Sequence, residues 1–140
     1  MKICYSYYVL DIVHQGHINH MMNAKALVGI DGVSVVGILT KEAVLEKKPK
    51  KPILSFDERM MLARSIQYND YVVPQDEYSP LKNINNIRPD FVMESTSHSK
   101  DDIDEVRKFV EKYGGRVIVN PYFPYRSSTS IKQKINEQQK

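Results

Sequence analysis

The chain has 140 residues, enough for one domain with a sizeable core, and 41% of them are hydrophobic. No apolar run reaches the roughly 18–20 residues of a membrane span, and the start, "MKICYSYYVL", lacks the apolar stretch of a secretory signal. The single cysteine, Cys4, forms no internal disulfide and argues against a thiol enzyme or a cysteine-based zinc site, which fits a reducing cytoplasm; a net charge of +3 suits a phosphate-bearing small molecule and is too weak to imply nucleic acid.

In chain order, strand and helix patterns alternate. Residues 2–10 are rich in aromatic and β-branched side chains and read as a strand. From Gln15 to about Val28 the spacing is helical, with Ile18, Met21, Met22 and Lys25 on one side. "VSVVGIL" (33–39) is a continuous apolar run, as a strand buried on both faces requires. "EKKPKKP" (46–52) follows, with four lysines and two prolines, and reads as a cationic loop able to close over an anion. "SFDERMMLARSI" (55–66) opens with a capping serine and an acidic first turn, the marks of a helix start. A short strand at 71–74, a short helix at 79–87 and a strand at 90–94 come next. Residues 100–115 form a helix with an acidic start, a basic end and a glycine stop. A strand at 116–120 and a serine-capped helix at 127–138 complete the pattern.

Strands separated by helices imply βαβ units, and right-handed crossovers then imply one Rossmann-like, doubly wound sheet of about five parallel strands with flanking helices over residues 1–140. Ligands in such sheets bind beyond the carboxyl ends of the strands, where the strand order reverses. "DIVHQGHINHMMNAKAL" (11–27) leaves the first strand and starts the first helix. Three of the chain's four histidines are here. His14 precedes the helix and His17 lies in its first turn, where unpaired N–H groups and the helix dipole favour anions. Gly16 between them permits close approach. The spacing predicts that both imidazoles and several N–H groups converge on one phosphate, which suits phosphoryl or nucleotidyl transfer. His20 falls away from the pair and reads as a surface residue. A metal site is disfavoured: this spacing drifts around a helix, no acidic partner is interleaved, and HExxH is absent.

"HQGH" matches the HxGH motif of the nucleotidyltransferase superfamily, and the chain resembles its cytidylyltransferase branch. Residues 11–27 resemble DLLHxGHIxxLxxAKxL. "ILTKEAVLEKKPKKPILSFDERMMLARSIQYNDYVVPQ" looks like the branch's second strand, lysine-bearing loop, ERxxxL helix and RYVDEV segment. "SSTSI" resembles the ISTTxI signature. The likeness appears strongest to glycerol-3-phosphate cytidylyltransferases and phosphonate-pathway domains. It implies transfer of CMP from CTP to a small phosphate or phosphonate with release of pyrophosphate. Mg²⁺ would be carried chiefly on substrate phosphates, without a dedicated protein cage. It also implies catalytic roles for His14, His17, Lys48, Lys50 and Arg59, the last as a multidentate phosphate contact. Nucleotide contacts would come from Val9, Leu10, Gly16, Ser95, Arg126, Ser127, Ser128 and Thr129. Asp11 would support the loop through hydrogen bonds. A homodimer through residues 67–73 is implied as well.

Three segments depart from the pattern. The branch's GTFD is "YVLD" (8–11), its GDDW-like segment is "ESTS" (94–97), and the arginine of RTEGIST falls at Tyr122, with Arg126 placed just before the serine-rich turn. These departures bear on which nucleotide and acceptor are used more than on the reaction class. They leave two alternatives: an adenylyltransferase using ATP, or a nucleotide-binding regulatory domain without turnover.

Overall fold

A computed structural model describes residues 1–120 and 128–139. Five parallel strands form one sheet: β1 (Ile3–Tyr8), β2 (Val33–Leu39), β3 (Tyr71–Gln75), β4 (Phe91–Ser95) and β5 (Arg116–Asn120). The strand order is β3-β2-β1-β4-β5. The helices are α1 (Gln15–Val28), α2 (Lys41–Leu45), α3 (Phe56–Ser65), α4 (Leu81–Ile87), α5 (Lys100–Glu111) and α6 (Ser128–Gln138). The doubly wound reading of the sequence holds. The five-residue α2, capped by Thr40 Oγ1 on the Ala43 amide, is an element the sequence pattern did not reveal. Among the described residues no helix is long and apolar enough to cross a membrane.

Period-two alternation splits the sheet into two apolar layers. Tyr5, Val35 and Val92 face one layer, with Ile84 of α4 and Val106 and Val110 of α5. Val36 and Ile38 face the other, with Met21 of α1 and Met60 and Ala63 of α3. The buried side of α1 is His20, Met21 and Ala24. Met22, expected on that side, is 40% exposed. The stripe is set by Met21, Ala24 and Val28 at three- and four-residue spacing, and Met22 lies about 100° off it.

The order of strands fixes where a ligand can sit. The chain runs outward from β1 to β3, returns through α4, and resumes on the opposite side of β1 at β4. The loops after β1 and β4 therefore diverge to opposite faces and leave a crevice between them.

One glycine is dictated by packing. Tyr5 crosses the sheet face and donates its hydroxyl to Gln75 Oε1, while Asn83 Nδ2 donates to the same hydroxyl. A Cβ on Gly37 would stand 2.0 Å from that oxygen. The ring is fully buried and held at its tip, so it has nowhere to yield. Gly37→Ala is predicted to cost about 1–3 kcal/mol, measured by urea denaturation. A variant as stable as the parent would show that the Tyr5 bridge is loose.

Candidate active site

A cavity of about 1100 Å³ opens at the crevice beyond β1 and β4. Its wall includes Val9, Leu10, His14, Gly16, His17, Lys48, Lys50, Ser95, Ser128 and Thr129 of the sequence-derived set. Arg126, Ser127 and Tyr122 lie outside the described residues.

The start of α1 is built by its own histidines. His14 is the N-cap, and its Nδ1 accepts from the Gly16 amide at 3.0 Å. His17 Nδ1 accepts from the His14 amide at 3.3 Å. This is a capping box made of two imidazoles in place of the usual hydroxyl and carboxylate. A backbone N–H can only donate, so each Nδ1 must be the bare nitrogen. Each neutral ring then carries its proton on Nε2. The expectation that these backbone amides would meet a phosphate directly is corrected: the amides of His14 and Gly16 are spent on the rings. The imidazoles relay the donor character of the helix end outward by the width of a ring. The two rings lie 3.9 Å apart between centroids. Burial lowers the pKa of His14. Burial first, then the neighbouring His14 and His20, bring His17 down to about 3. In the free protein at neutral pH the pair consists of uncharged donors.

His20 is not a surface residue. It is 8% exposed and lines the cavity. Tyr8, whose pKa burial raises, keeps its hydroxyl proton and donates it to His20 Nδ1. Tyr8 also meets His17 and His20 edge-on. The aromatic side chain that replaces the resembled family's glycine thus braces both imidazoles from behind. Burial lowers His20 to about 4.

Two buried charges hold the loop after β1. Asp11 is 3% exposed; its carboxylate accepts from the Leu54 amide at 2.8 Å and the Ile53 amide at 3.0 Å, and pairs with Lys132 of α6. It joins the β1–α1 loop, the end of the lysine loop and the last helix, the supporting role expected for it. Leu10, just before it, takes a left-handed backbone (φ 59°), and this bend brings the carboxylate to the Ile53 and Leu54 amides.

Arg59 is fully buried and is absent from the cavity wall. Its Nη1 donates to the carbonyls of Val9 (2.9 Å) and Leu39 (2.6 Å), and its Nε to Leu54 (3.3 Å). Nη1 and Nε thus serve a structural role and make no phosphate contact in this cavity, while Nη2 has no hydrogen-bond partner among the described residues and Arg59 lines a second, smaller cavity with Thr40 and Ser55. The guanidinium ties the ends of β1 and β2 to the segment before α3. Glu58, beside it in sequence, accepts from the Ser55 amide.

The lysine loop after α2 brings Lys48 and Lys50 to the cavity, joined by Lys51. Ser128 donates its hydroxyl to the Ile12 carbonyl at 2.9 Å and so docks α6 on the β1–α1 loop. Ser95 lies at the end of β4, with Ser97 donating to its hydroxyl at 3.0 Å. The sequence reading missed Tyr7 and Lys132. It also missed the pairing of Glu94 with His98, although their four-residue spacing at a strand end was the available signal.

A model of the family described as cytidylyltransferase-like matches residues 9–134. The chain belongs to the cytidylyltransferase-like family. Within it, the chain is 31% identical over 135 residues to the bifunctional protein HldE of Citrifermentans bemidjiense, covering 96% of this chain and 27% of that protein. It is 29% identical over 131 residues to the D-beta-D-heptose 1-phosphate adenylyltransferase of Bordetella bronchiseptica, covering 92% of this chain and 78% of that one. The chain thus spans about a quarter of the bifunctional relative's length. The lipopolysaccharide core biosynthesis protein of Thermoplasma volcanium has the same fold, with a TM-score of 0.72 at 23% identity over 90% of this chain and 99% of that one.

The Asp11 clamp has a defined pH signature. Burial works to raise its pKa, but the Leu54 amide, Lys132 and the Ile53 amide outweigh it, and the net is a value below the usual 3.8. The folded state therefore binds this proton less readily than the unfolded chain. The stabilisation is fully present above the unfolded value and is lost as pH falls through the lower folded one. The stability gap between wild type and Asp11→Asn is predicted to be constant from about pH 7 to 5 and to shrink below about pH 4. The titration of His17 is common to both proteins and cancels. A gap unchanged at about pH 3 would contradict the clamp.

Proposed function

We propose that this domain transfers an adenylyl group from ATP to the phosphate of a small phosphorylated sugar and releases pyrophosphate. The observation that carries the reading is the imidazole pair of His14 and His17, each ring with Nδ1 fixed on the start of α1, sharing a cavity with Lys48, Lys50 and Lys51. The relatives support ATP as the donor. CTP and a glycerol-phosphate-like acceptor rested on a likeness to glycerol-3-phosphate cytidylyltransferases, whereas the Bordetella relative, aligned over most of its length, is named for adenylyl transfer to heptose 1-phosphate. The regulatory alternative is less well supported, because the histidines and lysines the reaction calls for share one cavity.

In this scheme an oxygen of the acceptor phosphate attacks the α-phosphorus of ATP, the bond to the β-phosphate breaks, and pyrophosphate departs. A phosphate is already anionic near neutral pH, so the step needs no proton acceptor. It needs two anions brought together and their charge offset, which is positioning and electrostatics. Lys48 and Lys50 hold the acceptor beside the nucleotide. His17 donates from Nε2 to the α-phosphate as a neutral ring, with Nδ1 still accepting from the His14 amide. Thr129, with Arg126 and Ser127, belongs with the β- and γ-phosphates. Mg²⁺ would offset phosphate charge. Such an ion would be carried chiefly by phosphate oxygens and water, the ligands Mg²⁺ prefers. A homodimer through residues 67–73 belongs to the same proposal; Tyr71 there is 63% exposed on the edge strand β3.

Pyrophosphate release is predicted to be faster with ATP and a sugar 1-phosphate than with CTP and glycerol 3-phosphate. His17→Ala is expected to fold, losing about 1 kcal/mol of helix capping, while turnover falls by about 10²–10³. Preference for CTP would return the assignment to cytidylyl transfer. Undiminished turnover in the variant would refute the role of His17.

A further inference from the structure

Glu94 ends the β4 side of the crevice with a buried carboxylate, 1% exposed. The Tyr7 hydroxyl donates to both of its oxygens, at 2.8 and 2.9 Å. His98 Nδ1 lies 2.6 Å from Oε2. The His98 ring also stacks on Tyr7, 5.2 Å between centroids and 16° between planes, with Tyr5 stacked behind Tyr7. The hydrogen bond fixes the ring in its plane and the stack fixes it along its normal. Both carboxylate oxygens of Glu94 already act as acceptors toward Tyr7, so a proton on His98 Nδ1 completes this contact. In the neutral ring Nε2 is then a lone pair, the opposite polarity to His14 and His17.

The cavity is divided by charge. Among the described residues its lining cations are Lys48, Lys50 and Lys51 from the lysine loop and Lys132 from α6. The end of β4 and the loop after it contribute Ser95, Ser97 and His98, with no lysine or arginine. The triphosphate and the acceptor phosphate belong on the cationic side. The flat, uncharged part of the nucleotide belongs on the other.

We propose that His98, oriented by Glu94 and stacked on Tyr7, reads the nucleobase by accepting a hydrogen bond at Nε2 from an exocyclic amino group. Adenine and cytosine offer that donor. Guanine and uracil carry a carbonyl at the corresponding position and present an acceptor to an acceptor. Glu94 is a positioning residue: it touches no base and sets which nitrogen of His98 is bare. The inference rests on the nucleotidyl-transfer reading and adds to it the rule by which donors are sorted.

The test is calorimetric titration with ATP, CTP, GTP, UTP and inorganic tripolyphosphate. Wild type is expected to bind the two amino nucleotides about tenfold more tightly than the two keto nucleotides, the worth of one well-placed hydrogen bond. His98→Phe keeps a ring on Tyr7 and removes the acceptor. It is expected to bring the four nucleotides within about twofold of one another and to leave tripolyphosphate binding unchanged. Glu94→Gln, which can donate as well as accept, should lower the ratio in the same direction without moving tripolyphosphate, a split that simple loss of structure would not give. A ratio preserved in His98→Phe overturns the proposal. Equal binding of all four nucleotides by wild type also overturns it while leaving nucleotidyl transfer standing, and this arm decides the matter even if His98→Phe fails to fold. Wild type that binds tripolyphosphate and none of the nucleotides removes both readings.

Discussion

Two ring nitrogens are committed to the backbone at the start of α1, and much of the site follows from that. A helix must satisfy its first amides. Serine or aspartate would do so and end the matter there. Here the cap is an imidazole on each side of Gly16, so the group that satisfies the helix also carries a second donor on its far edge. The same contact that nucleates α1 sets the tautomer and direction of both rings. Burial then keeps them neutral in the free protein, and Tyr8 fixes the wall behind them.

That arrangement has to be held at the end of a strand, in loops that lack a ladder of their own. Two buried charges of opposite sign do it. Asp11 gathers amides from the segment before α3 and the ammonium of Lys132; Arg59 gathers carbonyls from the ends of β1 and β2 and from that same segment. Neither forms an ion pair with the other. Each replaces the water it lost with hydrogen bonds to groups that strand ends leave unpaired, which is how a buried charge becomes tolerable. The lysine loop is thereby tethered at one end beside the histidines, with Lys48, Lys50 and Lys51 on the cavity wall.

Local patterns in the sequence carried the fold well. The apolar run at 33–39, the capped helices and the alternation of elements all have short-range causes, and the five-stranded parallel sheet follows from them. The HxGH segment was legible too, because its chemistry sits within four residues. What was not legible depends on distant pairs. Glu94 meets Tyr7 across 87 residues of chain and Asp11 meets Lys132 across 121. Arg59 was expected to contact phosphate from its match to the ERxxxL helix; the partners it has in the fold are carbonyls up to 50 residues away. His20 was expected at the surface because the three-residue spacing carries it away from His14 and His17, and only the packed structure places Tyr8 against it.

The chemistry of the site depends on which nitrogen of His14 and His17 carries the proton. Long-range ¹H–¹⁵N correlation spectra of the imidazole rings report this directly in the free protein near neutral pH. Both residues are predicted to show a bare Nδ1 and a protonated Nε2, with His17 remaining neutral well below the pH at which an ordinary histidine charges, in keeping with its value of about 3. A proton on Nδ1, or an imidazolium at His17 near neutral pH, would mean that the rings do not cap α1, and the donor pair at the centre of the site would not exist.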